Sequence, residues 1–309
     1  MKNSPISIPD PSAHGISPKY GFLSADAPLT RFPKAYYEPW DSIANELPAL
    51  IKSGSLQKAV ANLPLLEIEK LETEFEYRRA YVVLAFIIHA HVWAPSFSSR
   101  PTEDVPPQLA EPFLQICEYL GMEPVVSYAG LVMWNWQLLN GGGMDLENME
   151  VLTSFTGTRG EAAFYHVPVL TEYEGGALVH LLLDAIAACS ARRDGWVRIV
   201  VDALEAASEC FVRMGGQMGK LYSLLEPEFF YHEHRPFMAG GKGMEEKGLQ
   251  RGMVFHRVNG EVLEKKLVGG SAVQSSLFPF LDYVFGIRHV DGAIFTVRGL
   301  LYVAQCRQR

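Results

Sequence analysis

The chain has 309 residues, 48% of them apolar, with 35 acidic against 27 basic side chains for a formal charge of −8. That length supports one large or two ordinary domains with a full core, and the acidic balance argues against the electrostatic footprint of a protein that binds nucleic acid or an anionic membrane surface. Cys117, Cys189, Cys210 and Cys306 are widely scattered, with neither a disulfide framework nor CxxC spacing, which points to a reducing, cytoplasmic setting.

Residues 1–35 are rich in Pro, Ser and Gly, lack the basic start and apolar core of a signal peptide, and read as an extended arm. Helical spacing begins with "WDSIANELPALIKSG" and continues in "LPLLEIEKLETEFEYRRAYVVLAFIIHAHVWA". The apolar run at 81–94 is too short to span a bilayer and reads as a buried helix. Its His89 and His91 point to nearly opposite sides of such a helix, so they read as packing residues, not a metal pair. After a proline-rich loop, "QLAEPFLQICEYLG" is a helix closed by Gly121, and "VVSYAGLVMWNWQLL" reads as another, closed by the glycines at 141–143. The stretch 147–170 has mixed strand and loop character. "GGALVHLLLDAIAACSARR" and "WVRIVVDALEAASECFVRMGGQMGKLYSLL" then read as strong helices, and Asn259-Gly260 between short alternating runs predicts a tight β-hairpin.

Three clusters could carry chemistry. "VGGSAVQSSLFPFL" at 268–281 is either a glycine-rich connection with Ser271 or a neighbour capping a helix, or a cradle for an anion; no Walker lysine or GxGxxG frame supports a nucleotide. In "FFYHEHRPFMAGG", Arg235 among aromatic residues is either stacked structurally or placed to clamp a carboxylate, while His232 and His234 lack further ligands at zinc spacing. "AAFYHVPVLTEYEGG" sets His166 beside two aromatic residues with Glu172 nearby, a pattern more common in cores than in pockets. No Ser-His-Asp arrangement or HExxH supports hydrolysis.

Taken in order, "YYEPWDSIANELPALIKSGSL", "RRAYVVLAFIIHAHVWA", "PPQLAEPFLQICEYLGMEPVVSYAGLVMWNW", "ENMEVLTSF", "FYHVPVLTEYEGGALV", "FFYHEHRPFMAGG" and "VGGSAVQSSLFPFLDYVFGI" resemble the indoleamine 2,3-dioxygenase family, its fungal members in particular. The resemblance implies a mainly α, two-domain all-helical fold with one small β-hairpin. It divides the chain into an arm over 1–35, a small helical domain over 36–150, and part of a large helical domain over 151–309 that holds haem b and substrate but lacks its last helices. It implies an enzyme that inserts both atoms of O2 into the indole C2–C3 bond of L-tryptophan to give N-formylkynurenine, a step of tryptophan catabolism by the kynurenine route and, in fungi, of NAD synthesis. In such an enzyme ferrous haem supplies the O2 chemistry and the protein supplies orientation and a dry pocket. By position, Arg235 matches the arginine that pairs with the substrate carboxylate, Phe230 the aromatic beside the indole, and Phe164 and Tyr128 two further pocket rings. Gly269 to Ala272 match the segment at the haem edge, with Gly270 and Ser271 toward the cofactor and Ala272 toward substrate.

Two departures from the family stand out. Pro168 occupies the position of a distal serine in animal members, so a distal hydrogen bond would need another donor, with His166 as the candidate. No histidine matches the proximal iron ligand: His289, the one histidine beyond Ser271, falls elsewhere, and the tail "AIFTVRGLLYVAQCRQR" no longer resembles the family. No metal ligand is assigned, weak or absent haem binding is expected, and a catalytically inactive, haem-poor relative stands as the alternative. The expected partners are L-tryptophan or another indoleamine and O2, for a monomer that binds neither nucleic acid nor membrane.

Overall fold

Asp41 in the first turn of α1 (Glu38–Ser53) ties three parts of the chain together. It accepts the Phe32 N–H at 2.8 Å and pairs at 2.8 Å with Arg79, whose other amino group donates to Thr153 Oγ1 at 3.2 Å. The pair is buried, so either partner alone would leave an uncompensated charge in the core. The computed structural model describes residues 8, 10–97 and 100–288. After the short α2 (Leu56–Ala61), Thr73 accepts the Glu76 N–H and caps α3 (Glu74–Trp93), with Glu74 and Glu76 favoured by the helix dipole. Every residue from Arg79 to Ala90 is buried, as the all-round apolar sequence of α3 requires.

Around α3 pack α1, α2, β1 (Asp104–Val105) and α4 (Pro107–Leu120), the last closed by Gly121 in the left-handed conformation. Where the sequence predicts a helix over 125–139, the chain instead makes a π turn, Ala129–Met133, and then strand β2 (Trp136–Leu138), antiparallel to β3 (Met149–Val151). Asn135 explains the change. Its amide exchanges two hydrogen bonds of 2.8 Å with the Thr153 backbone and holds 135 in register with the returning chain.

A second correction concerns 159–170, the later part of the strand-and-loop stretch, which gives way to helix α5 (Arg159–Gly176). Thr158 caps it by accepting the Glu161 N–H at 3.2 Å, and Pro168 is tolerated inside it. Helices α6 (Leu178–Ala191) and α7 (Trp196–Gly219) follow as expected, then the single turns α8 (Leu221–Leu224) and α9 (Pro227–Phe229), a π turn at Phe230–His234, and α10 (Arg235–Met238). The hairpin at Asn259-Gly260 is present as β4 (Met253–His256) and β5 (Val262–Lys265), with β1 added in parallel to β4. Helix α11 (Leu277–Phe285) ends the described chain.

The mainly helical class holds, with a few more short strands than one hairpin provides. The arm is mostly irregular, yet it buries Leu23 and Phe32 in the main core. One apolar cluster runs from these residues through α3 to Phe237 and Phe255, and a smaller one joins α6, α7 and α11. Among the described residues one helical run, Arg159–Ala191, is long and apolar enough to cross a membrane by length and composition; it carries Glu161, His166 and Glu172 buried within the protein.

Candidate functional site

The π turn widens the helix so that Phe230 and His234 fall on nearly one face, with Arg235 next to them. Phe230 lies 5.0 Å, centroid to centroid, from Phe164 on α5. His234 sits behind this pair, 5.2 Å from Phe164, 5.4 Å from Tyr165 and 6.1 Å from Phe230, fully buried and with neither ring nitrogen hydrogen-bonded. Burial holds it below the usual histidine range, with Glu161 at 3.8 Å pulling the other way. Glu161 is itself fully engaged: it accepts the Phe155 and Thr156 N–H groups and the hydroxyls of Ser154, Thr156 and Tyr165 at 2.6–3.0 Å. His234 is therefore a neutral ring in an aromatic box.

Arg235 is exposed, stacked 5.5 Å above the Tyr231 ring, and has no carboxylate partner among the described residues. It stands ready to take one from a ligand.

On α5, Phe164, Pro168 and Glu172 follow at intervals of four and share a side. Pro168 offers no hydroxyl and no N–H toward the Phe164 carbonyl. His166 lies about 200° round the helix from Phe164. It is buried near the Glu150 carbonyl, with its pKa pushed down to about 4 by burial. The structure does not bring His166 to the face of Phe164 and Pro168.

At the far end of that face, Tyr128 donates its hydroxyl to Glu172 Oε1 at 3.0 Å, and Ser275 donates to the same oxygen at 2.6 Å. Glu172 Oε2 is buried without a partner, and burial raises the carboxyl pKa to about 7 against the pull of both hydroxyls. Gln274 continues the connection: its Oε1 accepts the Tyr128 N–H at 2.8 Å and the Ser271 N–H at 3.3 Å, and its Nε2 donates to the Gly269 carbonyl. Residues 269–276 thus form a strap laid over Tyr128. Ser271 precedes a short turn, Ala272–Gln274, and Ala272 is exposed. The two glycines are accounted for by packing, since a Cβ on Gly269 would fall 1.8 Å from the Met238 carbonyl oxygen and one on Gly270 would fall 2.4 Å from Leu131. Nothing in this arrangement calls for an anion.

Among the described residues no group of three or more His, Cys, Asp or Glu could hold a metal ion. His89 bridges the Phe237 carbonyl at 2.8 Å and the Val126 N–H at 2.9 Å, a packing histidine as predicted. His91 faces the Asp104 carbonyl, and exposed His232 pairs with Glu228. Haem iron is held by a side chain such as an imidazole; His234, beside the aromatic wall, has both ring nitrogens without a hydrogen bond but is enclosed in its aromatic box, and His289 lies outside the described residues.

Sequence reasoning named Glu172 but missed its connection to Ser275 and Gln274. The Ser-x-x-Gln spacing of Ser271 and Gln274, a capping-box pattern, could have placed the turn that carries Gln274, but not the contact of Ser275 with Glu172.

A sequence model of the indoleamine 2,3-dioxygenase family matches residues 10–304. The chain is 37% identical over 282 residues to the 6-hydroxytryptophan 2,3-dioxygenase fscD of Fusarium equiseti, covering 91% of this chain and 68% of that protein. It is 33% identical over 293 residues to the indoleamine 2,3-dioxygenase of Saccharomyces cerevisiae, covering 92% and 63%. With the human indoleamine 2,3-dioxygenase 2 it shares 32% over 286 residues, covering 92% and 67%. The chain spans about two thirds of the length of these relatives.

Proposed function

The chain belongs to the indoleamine 2,3-dioxygenase family, and from that premise we propose that it is a cytoplasmic oxidoreductase acting on an indole-bearing amino acid, L-tryptophan or a close derivative, with O2 as co-substrate. The observations that carry the reading are the Phe164–Phe230 ring pair and, five residues along the chain from Phe230, an exposed Arg235 with no carboxylate partner among the described residues. Arg235 takes the substrate carboxylate in a bidentate, charge-assisted contact. Phe230 and Phe164 hold the indole flat, and Tyr128 walls the far end, closed over by Ser271 and Ala272. Such a pocket fixes the ring and keeps water from it, which is the protein's share of a cofactor-borne oxygenation. The family's reaction opens the C2–C3 bond of the indole to give N-formylkynurenine. The Fusarium relative's name concerns a ring-hydroxylated tryptophan, so the ring substituent is a point of specificity to be measured.

The test is equilibrium binding of L-tryptophan and of 6-hydroxytryptophan to the wild type and to Arg235→Ala. Loss of a charged hydrogen-bond pair is expected to weaken binding by roughly ten- to hundred-fold. Equal binding by the two proteins would remove the clamp. A second reading, a haem-poor relative that binds the amino acid without oxidising it, is favoured by the lack of a free axial imidazole among the described residues. Haemin titration followed by reduction and carbon monoxide separates the two: stoichiometric uptake with product formation supports the oxidoreductase, and no specific uptake supports the second reading.

A further inference from the structure

We propose that Glu172 is a positioning residue that latches the strap 269–276 onto the aromatic wall through Tyr128 and Ser275, and that ionisation of its carboxyl releases the latch. Both hydroxyl donors converge on Oε1, at 3.0 and 2.6 Å, and leave Oε2 buried with nothing to donate to it. In the closed arrangement a proton therefore belongs on Oε2, while Oε1 acts as the carbonyl-like acceptor for both hydroxyls. Removing that proton spreads a charge over both oxygens; Oε1 keeps its two donors, but Oε2 is cut off from water and from donors, and that desolvation is costly unless the surroundings open. Ser275 is as buried as Glu172 and Tyr128, but it lies between the turn Ala272–Gln274 and α11, outside any helix, whereas Glu172 is fixed within α5, so Ser275 is taken as the side that moves.

Among the described residues no cation offsets the charge. From the 127–133 turn, Tyr128 faces Glu172 and is itself pushed well above the usual tyrosine range, so it stays neutral. From the lead into α11 comes Ser275, followed by apolar Leu277. Helix α7 offers Arg213, which is engaged with Glu174 at 2.9 Å, and α6 begins with apolar Leu178 and Val179. On α5 itself, His166 is neutral and turned toward Glu150. The shift of Glu172 to about 7 arises from burial, opposed by Ser275 and Tyr128 alone. The latched carboxyl is then protonated below neutrality, and above it ionisation biases the contact toward opening. Because the strap carries Ser271 and Ala272, opening also loosens the substrate pocket, a consequence that rests on the function proposed above.

Hydrogen exchange of the full chain between about pH 5.5 and about pH 8.5, corrected for intrinsic rates, tests the latch without substrate. Protection of the amides of Tyr128 and of 271–276 is expected to fall by about ten-fold or more as the wild type passes neutrality, and to stay flat in Glu172→Gln. Ser275→Ala, which cuts the strap side of the contact, is expected to show low protection at every pH. A pH-independent wild type, or a Glu172→Gln protein with the wild-type drop, overturns the latch. If Glu172→Gln fails to fold, Ser275→Ala decides: a wild-type profile in that variant overturns the proposal. Tryptophan affinity measured over the same range separates the two claims. Exchange that changes while affinity does not overturns the coupling to the pocket, and failure to bind tryptophan at any pH overturns the proposed function while leaving the latch standing.

Discussion

Helices α3 and α7 are of similar length, 20 and 24 residues, yet they solve opposite problems. On α3 nearly every side chain is enclosed, whereas α7 buries Ala203, Ala207, Cys210 and Met214 and leaves Val201 40%, Leu204 48% and Val197 55% exposed. Beside α7, a groove of about 510 Å³ opens between α6 and the end of α11, lined by Leu182, Ile186, Val200, Leu204, Val284 and Phe285. The contrast teaches where this chain keeps its stability: the enclosed helix supports the aromatic wall through Phe86, Phe155 and Tyr165, while the α6–α7 layer adds a smaller cluster at the edge.

The sharpest way to break that contrast is Arg79→Leu. Stranding Asp41 without its partner is expected to cost about 3–5 kcal/mol in urea unfolding, since the lost partner leaves a buried charge. Next comes Glu172→Gln, read as stability against pH. The folded pKa of Glu172 is raised from 4.5 to about 7, so its contribution is complete below the unfolded value and is lost as pH rises through the folded one. Relative to the Gln variant, the wild type is expected to lose on the order of 3 kcal/mol between about pH 4.5 and about pH 8. His166 and His234 shift in the opposite direction but are common to both proteins, so their effect cancels in the comparison. The smallest effect is expected from Leu204→Lys on the exposed stripe, within about 0.5 kcal/mol of the parent in stability but with reduced self-association in light scattering.

Legibility followed the same divide. Helix α3 was plain because its apolar run is long and acid-capped, and the Asn-Gly hairpin because turn chemistry is local. Helix α5 was missed by the strand-and-loop reading, although Thr158 and Glu161, three residues apart, form the cap that starts it. The 125–139 stretch was misread because a short apolar run carries no period of its own, and its course depends on Asn135 meeting Thr153. At the site, the aromatic residues around Arg235 could be seen in one segment, but the Ser275–Glu172 contact joins residues 103 apart and leaves no local trace.

The interlocked backbones at the root of the strap have a practical consequence. A Cβ on Gly240 would fall 2.2 Å from the Leu267 carbonyl oxygen, and one on Gly269 would fall 1.8 Å from that of Met238. Two main chains cross there with no room for even a methyl group, so in the proposed latch the crossing is the pivot and the Ser275 end is the part that swings. Alanine scanning across this segment would therefore mix two signals: at 240 and 269 it reports whether the pivot can assemble at all, and only at 271–275 does it report how the gate moves.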